Sequence, residues 1–228
     1  MEIAGLQSLT LLDYPGKVAC TVFFAGCNLR CPYCHNAALV LPGLSPPPRS
    51  EESLLNFLRS RQGKLDGVCL TGGEPTLQKD LPALIRKIRA MGFLVKLDTN
   101  GTRPEVLKAL LDERLLDYVA MDIKNAPDRY AETCGADVLD EVQKSVALLR
   151  RGTVPYEFRT TVAHPYHTPR ELAEIGRWLS GAPKYFIQPF VDSGSLVGRG
   201  AAPLSPQELD ALLKAVLPQI PRAKLRGI

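Results

Sequence analysis

The chain lacks the features of a membrane or secreted protein. Its 228 residues contain no apolar run of about 18 residues, the length that a membrane-spanning helix needs. The first residues carry neither the basic nor the apolar segment of a signal peptide. We therefore expect a cytoplasmic protein with no membrane partner.

A strong charge imbalance is also missing. The net charge is +4 and no basic run stands out, so nucleic acid is not indicated as a partner. The hydrophobic content of 45% and the charged content of 23% are typical of a globular protein. No internal repeat or long linker divides the chain, so we expect residues 1–228 to form a single domain.

Cysteine is scarce outside one short segment. Three of the six cysteines, Cys27, Cys31 and Cys34, lie within eight residues at the spacing C-x3-C-x2-C, unlike the disulfide framework of a secreted protein. Their thiols could be a disulfide pair with a spare thiol, part of a zinc site with His35 as fourth ligand, or ligands of an iron–sulfur cluster. A four-iron cluster on three thiolates would keep one iron open for an outside ligand.

The remaining cysteines and histidines give weaker signals. Cys20 and Cys69 lie in apolar strands and are expected to be small core residues, while Cys134 is isolated. His164 and His167 flank a proline and are expected to serve loop structure.

Strands alternate with helices along the whole chain. This alternation predicts a parallel sheet with right-handed crossovers. Six units are two fewer than a closed eight-unit barrel of about 250 residues contains, so we predict an α/β fold, an open partial (β/α)6 barrel. The predicted strands are Val18–Phe24, Gly67–Leu70, Phe93–Leu97, Tyr118–Lys124, Tyr156–Val162 and Tyr185–Gln188.

Capping residues mark the starts of the helices. Ser50, Asp80, Thr168 and Ser205 are expected to cap the helices that follow them. Residues 125–138 are predicted to be irregular, and a glycine-rich loop is predicted at 193–200.

Polar motifs follow the ends of the predicted strands, where ligands gather in such folds. Gly72-Gly73-Glu74-Pro75 follows the second strand and Asp98-Thr99-Asn100-Gly101 follows the third, although each is also a good turn. Asp122 and Lys124 share one face of the fourth strand, where they could form a plain ion pair.

Two further residues lie late in the last predicted strands. Arg159 suits a carboxylate because its guanidinium is planar and bidentate, although it could equally form a surface ion pair. We expect Arg159 and Gln188 to face the same mouth of the barrel as the earlier motifs.

These motifs together resemble a known family. The cysteine loop, with Tyr33 before its last cysteine, resembles that of the radical SAM (S-adenosylmethionine) enzymes. The D-T-N-G and D-x-K segments are similar to those of the activating enzymes of glycyl-radical proteins. The resemblance covers essentially the whole chain and is strongest to the activators of anaerobic ribonucleoside-triphosphate reductase.

The resemblance implies roles for the site residues. The three loop cysteines would hold a [4Fe–4S] cluster, whose open iron is chelated by the amino and carboxylate groups of SAM. Tyr33 would support the adenine, and His35 would hydrogen-bond near the cluster. The residues expected to bind the rest of SAM are Gly72, Gly73, Glu74, Asp98, Asn100, Asp122, Lys124 and Arg159.

The resemblance also implies an activity. One electron, from a flavodoxin- or ferredoxin-like donor, would cleave SAM to methionine and a 5′-deoxyadenosyl radical, which takes hydrogen from a glycine of the partner enzyme. A radical SAM enzyme for a small molecule and a non-catalytic zinc or iron–sulfur module remain alternatives. One departure is that Gln188-Pro189-Phe190-Val191 lacks the histidine that pyruvate formate-lyase activators carry there.

Overall fold

Eight strands form one sheet in the order in which they occur along the chain. The computed structural model describes residues 1–152, 154–192 and 194–227. Strand β1 is antiparallel to β2, and all later neighbours are parallel. The strands are β1 Ile3–Thr10, β2 Ala19–Phe24, β3 Gly67–Gly72, β4 Leu94–Thr99, β5 Tyr118–Asp122, β6 Tyr156–Val162, β7 Tyr185–Pro189 and β8 Lys224–Leu225.

The sheet remains open, as predicted. Within the described ranges, β1 and β8 are its two edges and do not pair with each other. The six predicted strands are confirmed as β2 to β7, with ends that differ by one or two residues.

Within the described residues, six longer helices connect the consecutive strands from β2 to β8, and two short helices lie in loops. No helix among the residues described is long and apolar enough to cross a bilayer. The helices are α1 Ala37–Val40, α2 Glu51–Arg61, α3 Leu81–Ala90, α4 Pro104–Asp112, α5 Tyr130–Cys134, α6 Leu139–Arg151, α7 Pro169–Trp178 and α8 Pro206–Val216.

Three of the four predicted helix caps form. The Ser50 side chain accepts a hydrogen bond from the backbone, and Thr168 and Ser205 form complete capping boxes. The prediction for Asp80 was wrong, since it precedes α3 but its side chain makes no capping hydrogen bond.

The sequence did not predict β1, β8, α1 or α5. Strand β1 pairs with β2 through two register shifts, and three consecutive side chains of β1 are exposed. Its buried and exposed residues therefore do not alternate in the two-residue pattern that indicates a strand. The prediction that residues 125–138 are irregular was wrong for a 3-10 turn at Pro127–Arg129 and for α5. Helix α5 has five residues, too few to show a helical period. Ser193, in the predicted glycine-rich loop, lies outside the described residues.

The two faces of the sheet differ in polarity. On β4, Val95 and Leu97 pack with the apolar side chains of the helices. Because side chains alternate along a strand, Lys96 and Asp98 point to the opposite, inner face. Hydrophobic burial on one face therefore fixes which side chains meet on the other.

Polar contacts close the amino-terminal end of the inner face. The Glu157 side chain is 1% exposed and accepts hydrogen bonds from two nitrogens of Arg226, at 2.6 and 3.0 Å. The Tyr118 hydroxyl also donates to Glu157, at 2.9 Å, and the Tyr14 ring packs against that of Tyr118. These contacts join Arg226, which follows the edge strand β8, to strands β5 and β6 in the middle of the sheet.

Replacing Arg226 by alanine is expected to lower the free energy of unfolding by about 3 kcal/mol, because it leaves the buried Glu157 carboxylate without its cation. The matched control is Lys214→Ala, which removes a solvent-exposed pair with Asp210 and should cost about 0.5 kcal/mol or less. Urea unfolding measures both. Equal losses would show that the Glu157 pair is no more important than a surface pair.

Candidate active site

A cavity of about 740 Å³, part of it open to solvent, lies at the carboxyl ends of the strands. Arg159 and Gln188, which were expected to face it, are not among its lining residues. The predicted residues that do line it are Cys27, Cys31, Tyr33, Cys34, His35, Gly72, Gly73, Glu74, Asp98, Asn100, Asp122 and Lys124.

The three loop thiols have different surroundings. All six cysteines of the chain are free thiols. Burial raises the pKa of the Cys27 thiol to about 11 and also raises the pKa of Cys34. A hydrogen bond from the Cys134 thiol lowers the pKa of Cys31 to about 7. Cys134, isolated in the sequence, is therefore brought to the cysteine loop by the fold.

The chemistry of these donors suits a multinuclear group. Within the described part of the chain, no three His, Cys, Asp or Glu side chains gather around one point as a single metal ion requires. The three thiols border a shared cavity, which fits an iron–sulfur cluster in which cysteines bind different irons.

The paired glycines let two backbone segments come close together. The Gly73 N–H donates to the Phe24 carbonyl and the Glu74 N–H donates to the Gly26 carbonyl, both at 2.8 Å. A Cβ atom on Gly73 would lie 2.0 Å from the Gly26 carbonyl oxygen. Gly72 has a φ of 126°, a conformation that favours glycine. The glycines are thus needed for packing against the cysteine loop, whatever they bind.

Glu74 is fully buried and its carboxylate accepts four hydrogen bonds, three of them at Oε1. It accepts from the Thr76 backbone and hydroxyl, from the Thr99 hydroxyl at 2.7 Å and from the Asn100 backbone at 2.7 Å. Burial raises the pKa of Glu74 although these hydrogen bonds oppose the rise. The side chain therefore ties the loop after β3 to the loop after β4.

Five charged side chains alternate in sign on the inner face of β4, β5 and β6. The Lys96 ammonium pairs with Asp98, and Arg159 donates to Asp98 at 3.0 Å and to Asp122 at 2.9 Å. The Lys124 ammonium donates to Asp122 at 3.1 Å. Arg159 lies behind the two aspartates that line the cavity.

The charges keep one another ionised. Burial alone would raise the pKa of Asp98 and Asp122, but Arg159 and the lysines outweigh it. The pKa of Asp122 falls to about 2, and that of Asp98 is also lowered. Burial would lower the pKa of Lys124, yet Asp122 and the nearby thiols hold it well above its usual value.

The backbone of Lys124 is fixed by two buried rings. Its carbonyl accepts hydrogen bonds from the Tyr33 hydroxyl at 3.1 Å and from His167 Nε2 at 2.8 Å. The Tyr33 ring also packs against Tyr166 and His167. His167, assigned to loop structure from the sequence, therefore positions a residue of the cavity.

Two residues of the inner face were missed or misjudged from the sequence. Lys96 was not singled out as a candidate site residue. The signal that could have identified it is its position as a lysine within the otherwise apolar run of β4. Cys69 is buried as expected, but its sulfur lies 3.6 Å from an Asp98 oxygen and 3.8 Å from the Lys96 ammonium.

Cys20 is a core residue, and His164 bonds to exposed Glu208 at 2.9 Å.

Comparison with known proteins agrees with this geometry. The sequence profile of the Radical SAM superfamily matches residues 21–179. A protein of Methanocaldococcus jannaschii, named provisionally as a glycyl-radical enzyme activating enzyme, is 35% identical over 197 residues, which are 82% of this chain and 79% of that protein. The 7-carboxy-7-deazaguanine synthase of Thermococcus kodakarensis is 31% identical over 160 residues, covering 62% of each protein.

A solved structure shares the fold. Streptococcus suis SuiB bound to S-adenosylmethionine superposes with a TM-score of 0.70 over 91% of this chain. This chain covers 52% of SuiB at 13% sequence identity, so the likeness concerns the fold alone.

Replacing Gly73 by alanine is expected to lower the free energy of unfolding by about 2 kcal/mol, because the new methyl group overlaps the Gly26 carbonyl. The control is Gly5→Ala, whose added methyl would meet Phe23 at an ordinary 3.5 Å. Urea unfolding of the cluster-free proteins measures both. Equal stability of the two variants would contradict the close approach of the two loops.

Proposed function

Because the chain belongs to the radical SAM superfamily, we propose that this radical SAM enzyme installs a glycyl radical on a partner protein. Enzymes of the superfamily use a [4Fe–4S] cluster and SAM. The observation that carries the proposal is the cavity that is lined by both the cysteine loop and the partly buried charges Asp98, Asp122 and Lys124. When bound, the cluster supplies the electron that cleaves SAM to methionine and a 5′-deoxyadenosyl radical.

The loop thiols are proposed to hold the cluster. Cys27, Cys31 and Cys34 border one cavity, and their loop is held by backbone hydrogen bonds to the loop after β3. Three thiolates leave one iron for SAM. His35 lines the same cavity and is proposed to lie beside the cluster.

The charged side chains are proposed to bind the polar end of SAM. The five alternating charges include three cations and two anions, so they carry a net charge of +1. Lys124 is the cation that lines the cavity, and it remains charged. A carboxylate of the ligand would complete the pairing. Arg159 is proposed to act through Asp98 and Asp122, since it lies behind them.

The uncharged residues are proposed to complete the SAM site. Gly72, Gly73 and Glu74, which line the cavity, would receive the amino group. Tyr33, which lines the cavity with its hydroxyl fixed on Lys124, would support the adenine.

The partner is proposed to be a glycyl-radical enzyme such as anaerobic ribonucleoside-triphosphate reductase. The named relative from Methanocaldococcus jannaschii and the open edge between β1 and β8 support a protein substrate. We further propose a flavodoxin- or ferredoxin-like electron donor, a cytoplasmic location and a single domain over residues 1–228. Six free thiols suit a reducing compartment.

A small-molecule substrate is the second candidate. The observation that favours it is the likeness to 7-carboxy-7-deazaguanine synthase, which covers less of the chain than the likeness to the activating enzyme. Both candidates share SAM cleavage, and they differ in the source of the hydrogen that is removed.

Replacing Cys31 by alanine is expected to reduce 5′-deoxyadenosine release more than a hundredfold, because a cluster ligand is lost. The matched control is Cys20→Ala, a buried cysteine of β2, which should keep its iron and its activity. The assay is anaerobic incubation of reconstituted, dithionite-reduced protein with SAM. Equal activity of both variants would overturn the ligand assignment.

Anaerobic ribonucleoside-triphosphate reductase labelled with α-deuterated glycine is expected to yield a glycyl radical and deuterated 5′-deoxyadenosine. The hydrogen must come from the glycine α-carbon if the partner is the substrate. EPR detects the radical and mass spectrometry detects the label. The control reductase, with its radical-site glycine replaced by alanine, should give neither. SAM cleavage without label transfer from any candidate partner would favour the small-molecule function.

A further inference from the structure

The amide of Asn100 is used entirely within the chain. Asn100 is 5% exposed at the end of β4. Its Oδ1 accepts from the Thr102 backbone at 3.0 Å and from the Thr102 hydroxyl at 2.7 Å. Its Nδ2 donates to Asn28 Oδ1 at 3.1 Å and lies 3.9 Å from Cys27 Sγ, within hydrogen-bond reach of sulfur. The amide therefore faces the cysteine loop on one side and its own loop on the other.

These contacts close a ring between two distant loops. The Asn28 amide donates to the Thr102 hydroxyl at 2.8 Å, so Asn28, Asn100 and Thr102 are each joined to the other two. Asn28 is exposed and directly follows Cys27. The Asn100 backbone is in turn held by the buried Glu74 carboxylate. The ring thus connects the first cysteine to the most buried acid of the cavity.

Cys27 receives donors from two directions. The Leu29 N–H donates to its sulfur at 3.4 Å, and Asn100 approaches with a side-chain N–H. Hydrogen bonds to cysteine sulfur are among the factors that set the reduction potential of an iron–sulfur cluster. A donor near a thiolate stabilises negative charge, so it favours the reduced cluster.

We propose that Asn100 is a positioning residue for the iron–sulfur cluster, acting through the Cys27 sulfur and through Asn28. The inference rests on the proposed function, because it assumes that Cys27 binds the cluster. It differs from the role that the family resemblance gives Asn100, which is contact with SAM. Asn100 should therefore affect the cluster in the absence of SAM.

The test compares three variants of the reconstituted full-length protein. Asn100→Leu removes both amide donors at similar volume, and Asn100→Ala removes them without filling the site; neither variant adds a charge. Asn28→Ala breaks the ring of hydrogen bonds among Asn28, Asn100 and Thr102 but keeps the Asn100 N–H that approaches the Cys27 sulfur. The midpoint potential of the cluster is measured without SAM by EPR-monitored redox titration, and SAM affinity is measured separately.

Both Asn100 variants are expected to lower the equilibrium constant for cluster reduction about tenfold, the effect of one hydrogen bond to a charged group. Asn28→Ala should leave the potential near that of the wild type but release iron to a chelator faster. If Asn100→Leu does not fold, Asn100→Ala still gives the comparison with Asn28→Ala.

Two results would overturn the inference in different ways. Unchanged potentials with weakened SAM affinity in the Asn100 variants would show that Asn100 is a SAM contact, while the proposed function would stand. A wild-type protein that assembles no cluster would overturn both the inference and the proposed function.

Discussion

Five charged side chains of alternating sign, one buried and four partly buried, determine which groups can lie on the inner face of the sheet. Removing a charged group from water costs several kcal/mol unless a partner and hydrogen bonds compensate. Here each member pairs with the next, from Lys96 through Asp98, Arg159 and Asp122 to Lys124. The pairing requires three strands in one register, and the register that places Asp122 opposite Arg159 also buries the apolar outer face. Hydrophobic packing and the charge network therefore specify the same arrangement.

The cysteine loop is held from several sides by segments that are distant in sequence. The loop after β3 bonds to it through Gly73 and Glu74, and helix α5 is attached where the Arg30 N–H donates to the Cys134 carbonyl at 2.8 Å. The loop after β7 also bonds to it, and a Cβ atom on Gly198 would lie 2.6 Å from Pro32. A loop fixed in this way presents its thiols without a large ordering cost when a ligand binds.

Much of the fold could be predicted because its signals are local. Runs rich in apolar and β-favouring residues mark β2 to β7, and capping boxes mark α7 and α8. Strand β1 and helix α5 could not be predicted, since β1 pairs irregularly and α5 is too short to show a period. The grouping of motifs at one cavity could also be predicted, because parallel strands with right-handed crossovers bring their carboxyl ends to one edge.

The sequence by itself determined the order of β2 to β7 and of the longer helices, the open sheet, and most of the motifs that meet at the cavity. These follow from periodicity and chain connectivity, which are properties of neighbouring residues. Only the tertiary structure decided what individual atoms do within those motifs. It placed Arg159 behind Asp98, committed the Glu74 carboxylate to Asn100, and brought Cys134 to Cys31. Such contacts depend on distances of a few ångströms between segments far apart in the chain, and no local pattern records those distances.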